Sequence, residues 1–345
     1  CIRDRLNALW VDGAGQVYAT GSFSSTVNFD PGTGSRVLSS TGVSAFALKL
    51  SGDGSLGWAD AMGGGSSDSA EGNSILADPS GNVYLAGDFA GTINFDPGAG
   101  VVDRTGTGGA VFVLKLTSSG DFGWVQTPTT SGDYGSIAWG LAQDSHGSLY
   151  ATGFFSGTLS AAPVTVLGAS GPYDAFVLKL SQSTGGPTWA TKVDGMDGDL
   201  GTGVAVDSAG NLYVSGNFSD VGGGGTANFD PFNHTQEQSA GGSTAGFLWK
   251  LNGPPIVSVP PAVTAASFDY AHQPPDVSIT FDGDVSGSLS AATLEVQNLN
   301  TGAMAAAANV AYNHAANTAT FSFAGPLPDG NYRATLPASG VADSV

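Results

Sequence analysis

Asp78-Pro-Ser-Gly-Asn-Val-Tyr84 decides how this chain is read. The same Asp-x-x-Gly-x-(Val/Leu)-Tyr pattern opens at Asp12, Asp144 and Asp207, so the four starts are spaced by 66, 66 and 63 residues. Tyr18, Tyr84, Tyr150 and Tyr213 keep step six residues after each aspartate. A second element follows in phase: Phe46-Ala-Leu-Lys-Leu50, Phe112-Val-Leu-Lys-Leu116, Phe176-Val-Leu-Lys-Leu180 and Phe247-Leu-Trp-Lys-Leu251. Three copies add a tryptophan, Trp58, Trp124 and Trp189. A fixed period of this length marks a repeat architecture before any single element is assigned.

Each copy holds up to four short runs rich in Val, Leu, Phe and Tyr, bounded by Gly, Asp, Ser or Pro. In the second copy they are residues 74–77, 82–87, 110–116 and 122–126. No helical period competes. The Asp-x-x-Gly tetrapeptides are tight-hairpin chemistry between the first and second runs. A four-stranded sheet of about 65 residues cannot cover both its faces alone, and radial stacking of such sheets leaves few open edges. The reading is therefore all-β, a propeller with four blades at about residues 1–65, 66–131, 132–197 and 198–252. The last copy shows only three strands and the first begins at its inner strand. An open arc or incomplete ring is expected over a closed four-blade ring, with a missing outer strand and further blades supplied from upstream.

The Asp-x-x-Gly-Asn-x-Tyr, Gly-x-Phe-x-Gly-Thr, Asn-Phe-Asp-Pro-Gly and Ala-Phe-x-Leu-Lys-Leu elements together resemble the β-propeller (SBBP-type) repeats of bacterial secreted and surface proteins. The resemblance covers roughly residues 1–252. It implies an extracellular propeller and no single activity. Pro254, Pro255, Pro260 and Pro261 read as a stiff linker over 253–261. Alternating runs after it, including Val277-Ser-Ile-Thr-Phe281 and residues 318–323, read as a β-sandwich at 262–345. Residues 304–308 read as a loop or irregular strand. Ile279-Thr-Phe-Asp-Gly-Asp-Val285, Leu327-Pro-Asp-Gly-Asn-Tyr-Arg333 and Ser339-Gly-Val-Ala-Asp343 resemble bacterial Ig-like modules, which act as spacers and stalks. The last strand of such a module is expected to be cut off here.

Composition narrows the function classes. Charged residues are only 11% of the chain, and 29 acidic residues against ten basic ones give a formal charge of −19. That surface repels nucleic acid and anionic lipid. No apolar run is long enough to span a membrane as a helix. Glycine and proline, 53 and 17 of 345 residues, recur at fixed phase and so read as turns. Cys1 is the sole cysteine, which excludes an intrachain disulfide. At Cys1 a fragment end is favoured over a lipidated mature terminus.

The search for chemistry returns acids. His146, His234, His272 and His314 share no repeat phase, no zinc pattern exists, and Gly222–Gly225 lacks the Lys-Ser/Thr of a phosphate loop. A meander alternates direction, so the second-to-third and blade-to-blade loops share one end of the propeller. That end would carry Asp30, Asp96 and Asp230 from the Asn-Phe-Asp-Pro loops, and Asp68, Asp133 and Asp197 from the connections. Six carboxylates there could hold Ca²⁺ through oxygen ligands; no other cofactor is implied. The competing reading is turn chemistry, each aspartate capping its own backbone. Asp12, Asp78, Asp144 and Asp207 read as hairpin formers, and Asp194-Gly-Met-Asp-Gly-Asp199 as a solvated loop. Lys49, Lys115, Lys179 and Lys250 read as strand-end charges, with a cationic ring around a channel as the alternative. The tryptophans read as blade packing before sugar stacking.

Three function classes stay open. The first is a non-enzymatic extracellular or cell-surface interaction protein, binding protein or polysaccharide and spaced by the Ig-like module. The second is a polysaccharide hydrolase or lyase, which needs unique carboxylates that break the repeat. The third is a purely structural surface component.

Overall fold

A computed structural model describes residues 4–161, 165–219, 226–230, 236–251, 263–269, 274–281, 285, 289–313 and 316–336. The chain divides into two compact units, Cys1–Pro255 and Ile256–Val345. The linker at 253–261, Cys1, Gly222–Gly225, Ser339–Asp343, His234, His272 and His314 lie outside the described residues.

The first unit is a series of antiparallel blades. Blade 1 has strands Arg5–Val11, Val17–Asn28, Val37–Leu50 and Leu56–Gly64. Blade 2 has Ser69–Ala77, Val83–Asn94, Asp103–Leu116 and Phe122–Gln126. Blade 3 has Ser136–Gln143, Ser148–Phe155, Asp174–Ser181 and Pro187–Lys192. Blade 4 has, among the described residues, Leu200–Val206, Leu212–Ser219 and Thr244–Leu251.

The hairpin motif has one geometry in every blade. The Oδ1 of Asp78 accepts from the Ser80 and Asn82 amides, both at 2.9 Å, while its Oδ2 accepts from the Tyr84 hydroxyl at 3.0 Å. Asp12, Asp144 and Asp207 accept in the same way from Tyr18, Tyr150 and Tyr213 at 3.2, 3.1 and 3.1 Å. The aspartate thus closes its own turn and anchors the head of the second strand. Hydrogen bonds to the charged form hold two of these carboxyls below the usual range. For Asp12 the largest cause is the Gln16 amide; for Asp207 it is the Asn211 side chain. The lysines stand at strand ends, as expected, each within the last three residues of its strand. They lie on third strands, and Lys49, Lys115, Lys179 and Lys250 each hold Nζ 5.4–5.7 Å from the ring centre of the tyrosine in their own blade.

Three hydrophobic clusters join the blades in succession. Tyr18, Ala45 and Ala47 of blade 1 pack on Val83, Leu85 and Leu114 of blade 2. Tyr84, Val111 and Val113 pack on Leu149, Ala151 and Phe176. Tyr150, Val177 and Trp189 pack on Leu212, Val214 and Trp249. Polar contacts pin two of these seams. Lys49 Nζ and Trp58 Nε1 donate to the Ser118 carbonyl of the next blade at 3.5 and 3.1 Å. Lys115 Nζ and Trp124 Nε1 donate to the Gln182 carbonyl at 3.3 and 3.2 Å. Two of the three tryptophans therefore tie a blade to its successor, and Trp189 is buried in the third seam.

The first strands are the inner ones. Asn7 Nδ2 donates to the Gly72 carbonyl at 3.0 Å, and Asn73 Nδ2 to the Ala138 carbonyl at 3.3 Å, so successive first strands lie side by side. Each carries a bulge at the same place, skipping Asn7, Asn73, Trp139 or Thr202. The middle strands of blade 2 run further than the 82–87 and 110–116 expected from sequence. Gly91, at φ +84°, makes a bulge from which pairing resumes at Gly91 and Gly106. The pairing thus runs on past the expected end at residue 87 through a glycine kink.

The second unit has its own core of Val277, Ile279, Phe281, Val296, Phe321 and Phe323. Strands Val263–Asp269, Asp276–Phe281, Thr318–Phe323 and Met304–Asn313 pair in that order. Met304–Asn313 then bends at a bulge between Ala307 and Asn309 and pairs with Glu295–Asn298, which pairs with Tyr332–Thr335. Of the two readings of the alanine-rich stretch, the irregular strand is the one observed, and that strand is shared by two sheets.

The seams give a direct test of the hairpin node. Tyr84 is fully buried and Tyr213 half-buried, although both make the same hydrogen bond. Tyr84→Phe is expected to lose about 1 kcal/mol by removing a bond in a buried seam, and Tyr213→Phe less than half of that, in denaturant titrations of the two variants.

Candidate ligand-binding end of the propeller

The strand directions put the second-to-third loops and the blade-to-blade connections at one end of the blades. The aspartates predicted there do not act as one set. Asp30 accepts from the Gly32 amide and Asp96 from the Gly98 amide, both at 2.8 Å. Asn28 Oδ1 accepts from the Asp30 and Arg36 amides, and Asn94 Oδ1 from the Asp96 and Val102 amides. Asn228 repeats the first of these contacts with the Asp230 amide at 2.7 Å. The Asn-Phe-Asp-Pro stretch is thus a self-capped loop. Asp68 Oδ2 accepts from the Gly65 amide at 2.6 Å, closing the connection between blades 1 and 2. Asp133 is exposed and Asp197 half-buried in the next two connections. Among the described residues no three His, Cys, Asp or Glu side chains are grouped to hold a metal ion. Local turns thus hold the carboxylates of Asp30, Asp96 and Asp68 one by one, each on its own backbone.

The same end carries exposed apolar side chains: Val101 in a loop of blade 2, and Tyr134 and Met196 in the connections leading into blades 3 and 4. Tyr134 heads a run of aromatic rings. It meets Tyr173 edge-on at 6.4 Å; Tyr173 meets Phe154 at 5.2 Å, and Phe154 meets Trp139 at 5.2 Å. Tyr173 lies so close over Gly198 that a Cβ there would come within 2.4 Å of its ring. The glycine between Asp197 and Asp199 is therefore a seat for an aromatic side chain.

This run breaks the repeat. Trp139 and Phe154 occupy the positions of Asn73 and Asp88 in blade 2, where Asn73 Nδ2 donates to Asp88 Oδ1 at 2.9 Å. Blade 1 has Asn7 and Ser22 there, and blade 4 Thr202 and Asn217. A polar pair beside the inner strands has become an aromatic one in blade 3 alone. Burial pushes the Asp88 carboxyl up to about 6, with the Asn73 hydrogen bond opposing. The aromatic pair removes that desolvated charge from blade 3.

Beneath the run lies a second departure. Lys192 Nζ donates to Asp174 Oδ2 at 2.8 Å, Asp194 Oδ1 at 2.7 Å, the Gly168 carbonyl at 2.7 Å and Ser170 Oγ at 2.9 Å. Ser170 Oγ also donates to Asp194. Asp174 and Asp199 are fully buried. Asp174 Oδ1 and both Asp199 oxygens complete no hydrogen bond among the described residues. Desolvation is the main cause that raises the Asp199 carboxyl to about 8, with Asp174 the next; the nearby Ser219 amide opposes this only in part. Asp194–Asp199 is therefore not a solvated loop. Its last aspartate is driven inward because it opens the first strand of blade 4, at the position held by buried Ala70 and Ser136 in blades 2 and 3. Asp199 follows a glycine in an acidic stretch, and sequence reading by recurrence passes over it. Comparison of the repeats column by column, looking for departures, would have picked out Trp139, Phe154, Tyr173 and Asp199.

An all-β chain of propeller-type repeats is thus defined, with one repeat altered at one end. Residues 63–88 match the family model described as a β-propeller repeat, SBBP. Among solved structures, the quinohemoprotein alcohol dehydrogenase ADHIIG from Pseudomonas putida HK5 is similar over 76% of this chain and 52% of its own, at 9% identity and a TM-score of 0.28. The chain spans about half the length of that enzyme, and so small a likeness says nothing about activity. A search by sequence among curated proteins finds no match.

Asp199 makes stability pH-dependent with a definite sign. Its folded-state pKa is raised, so its contribution is full below the unfolded carboxylate pKa and is lost as pH rises toward about 8. Asp199→Asn mimics the neutral acid. The variant is expected to melt within a degree or so of the parent near pH 4, and on the order of 3 °C or more above it at pH 8. Thermal melts of both proteins across that range check this.

Proposed function

We propose that this chain is a non-enzymatic interaction protein of the cell exterior, secreted or surface-borne. The altered end of the propeller takes a polysaccharide. The observation that carries the reading is the aromatic run from Trp139 to exposed Tyr134, found in one blade and flanked by Asp133 and Asp197. An exposed tyrosine ring covers the apolar face of a sugar at low entropic cost, and carboxylates accept from its hydroxyls. A formal charge of −19 selects neutral or cationic glycans and disfavours anionic ones. The second unit resembles an Ig-like spacer and would hold the propeller away from its anchor.

Two features weigh against hydrolysis or lysis on this scaffold. The fully buried carboxylates that break the repeat, Asp174 and Asp199, are out of reach of a bulky glycan. Asp174 is also held by Lys192. A purely structural role gives the exposed tyrosine no task.

Calorimetric titration with neutral, cationic and anionic polysaccharides tests the reading. Binding to a neutral or cationic glycan is expected, and Tyr134→Ala should weaken it about tenfold or more with the melting temperature unchanged. Tyr134 is exposed, so the substitution leaves the seams intact. Equal affinity in the variant, or no binding to any glycan, would refute the assignment.

A further inference from the structure

Blade 2 breaks the repeat in its own way, beside the aromatic pair of blade 3. Glu71 on its first strand stands directly opposite Asp88 on its second, so the two carboxylates share one rung and one face of the sheet. The other blades have Arg5 and Ser22, Ile137 and Phe154, and Leu200 and Asn217 on that rung. Like charges directly opposite each other destabilise a sheet. No ion pair relieves Glu71 or Asp88 among the described residues. The hydrogen bond from Asn73 Nδ2 reaches Asp88 Oδ1 and leaves Oδ2 and the Glu71 carboxylate open.

The pair lies next to the aromatic run. Asp88 is on the same side of its strand as Tyr84 and Ala86, which pack toward blade 3. Asn73 Nδ2 also donates to the Ala138 carbonyl on the first strand of that blade. Trp139 follows Ala138 and lies against Phe154, which shares its side of the strand with Tyr150 of the next seam. The first strand of blade 3 therefore has two carboxylates on one side and two aromatic rings on the other. Glu71, Asn73, Asp88 and Trp139 are all half-buried, unlike the fully buried Asp174 and Asp199. A small charged group on a bulky glycan can reach them while its sugar rings stay on the aromatic surface.

Acceptors without a cationic partner are complemented by a compact cation with several N–H donors. A metal ion fits poorly, since no three His, Cys, Asp or Glu side chains are grouped among the described residues. An ammonium fits, and aromatic rings close by favour both the cation and the apolar face of its carrier. We infer that Glu71 and Asp88 set the specificity of this surface: they take the ammonium of an amino sugar, and so select polysaccharides with free amines over neutral ones. This selection rests on the glycan reading of the aromatic run and narrows it to one substrate class. The ammonium accepts no hydrogen bond and donates to both carboxylates, while the sugar rings beyond it follow the run from Trp139 toward Tyr134. A cation on the rung turns a repulsive pair into an attractive set. Burial raises the Asp88 carboxyl to about 6, and a cation in contact favours its charged form again.

Calorimetric titration of the full chain with glucosamine oligosaccharides and their N-acetylated counterparts of equal length tests it, under conditions where the free amines are protonated. The amine form is expected to bind about tenfold or more tighter. Glu71→Gln and Asp88→Asn should each remove most of that preference and leave the affinity for the acetylated form unchanged. Both substitutions relieve a like-charge contact, so melting temperatures no lower than the parent's serve as the folding control. Tyr134→Ala should weaken both forms alike. Equal affinity for the two forms, with Tyr134→Ala still weakening both, would overturn the selection and leave the glycan reading intact. Binding of neither form would overturn the selection, and the glycan reading falls with it only if every polysaccharide of the wider panel also fails to bind. A preference that survives both substitutions would assign it to the net charge of the chain and overturn the role of the pair. So would equal affinity for oligolysine, which carries the ammonium without the sugar. Shortening of the oligosaccharide by the protein would overturn it in favour of hydrolysis at the same carboxylates.

Discussion

The hydrogen bond from tyrosine to the turn aspartate is the contact on which each blade depends. One carboxylate does three things within seven residues. It caps two amides of the turn, receives the phenol of the second strand, and so fixes the start of that strand relative to the first. The lysine of the third strand lies over the same ring, which adds the third strand to the node. A tyrosine cannot be buried in a seam with its hydroxyl unpaired. The aspartate satisfies it from within the blade, and the rest of the ring is free to pack on the next sheet. Burial is the main cause that raises the Tyr18 hydroxyl to about 12, and Asp12 adds to it. The phenol therefore stays a donor at any ordinary pH.

From that node the seams follow. The buried tyrosines contribute to one cluster after another, and the tryptophan and lysine of one blade reach a turn carbonyl of the next. Each blade is stabilised mainly by its neighbours, as expected where units interact in sequence along a repeat. Blade 4 separates the local motif from the coverage of its face. Its Asp207–Tyr213 bond has the same length as that of blade 3, yet the tyrosine is half-exposed and Leu248 stands in solvent. The local motif forms regardless; coverage of the face requires a partner sheet.

A repeat with such strict internal chemistry can be altered only where the node and the seams are not touched. The inner-strand bulge and the loop end meet that condition. In blade 3 the polar Asn–Asp pair of blade 2 is replaced by Trp139 and Phe154, and the loops above contribute Tyr173 and Tyr134. The Asp-Pro loops of the other blades keep self-capped turns. Recurrence and departure therefore divide the work: recurring residues build the scaffold, and departing residues give one end a surface of its own.

The period, the all-β class, the hairpin aspartates and the packing role of the tryptophans were all legible in the chain, because each rests on a local pattern that recurs in three or four copies with one physical cause. Strand lengths were not: the second run of blade 2 reads as ending at residue 87, and only its pairing with the third strand carries it on past Gly91, opposite Gly106. The lysines were read as strand-end charges, which they are, but the ring that each one covers lies on another strand and was not legible. Asp199 was misread because nothing in an acidic glycine-rich stretch says which carboxylate turns inward; that follows from its position at the head of a strand covered by blade 3. The sequence by itself determined the blade, since its node closes within one repeat. Only the tertiary structure decided which faces are covered, which carboxylates lose their water and which aromatic rings meet, because those outcomes depend on residues far apart in the chain being brought together across strands and seams.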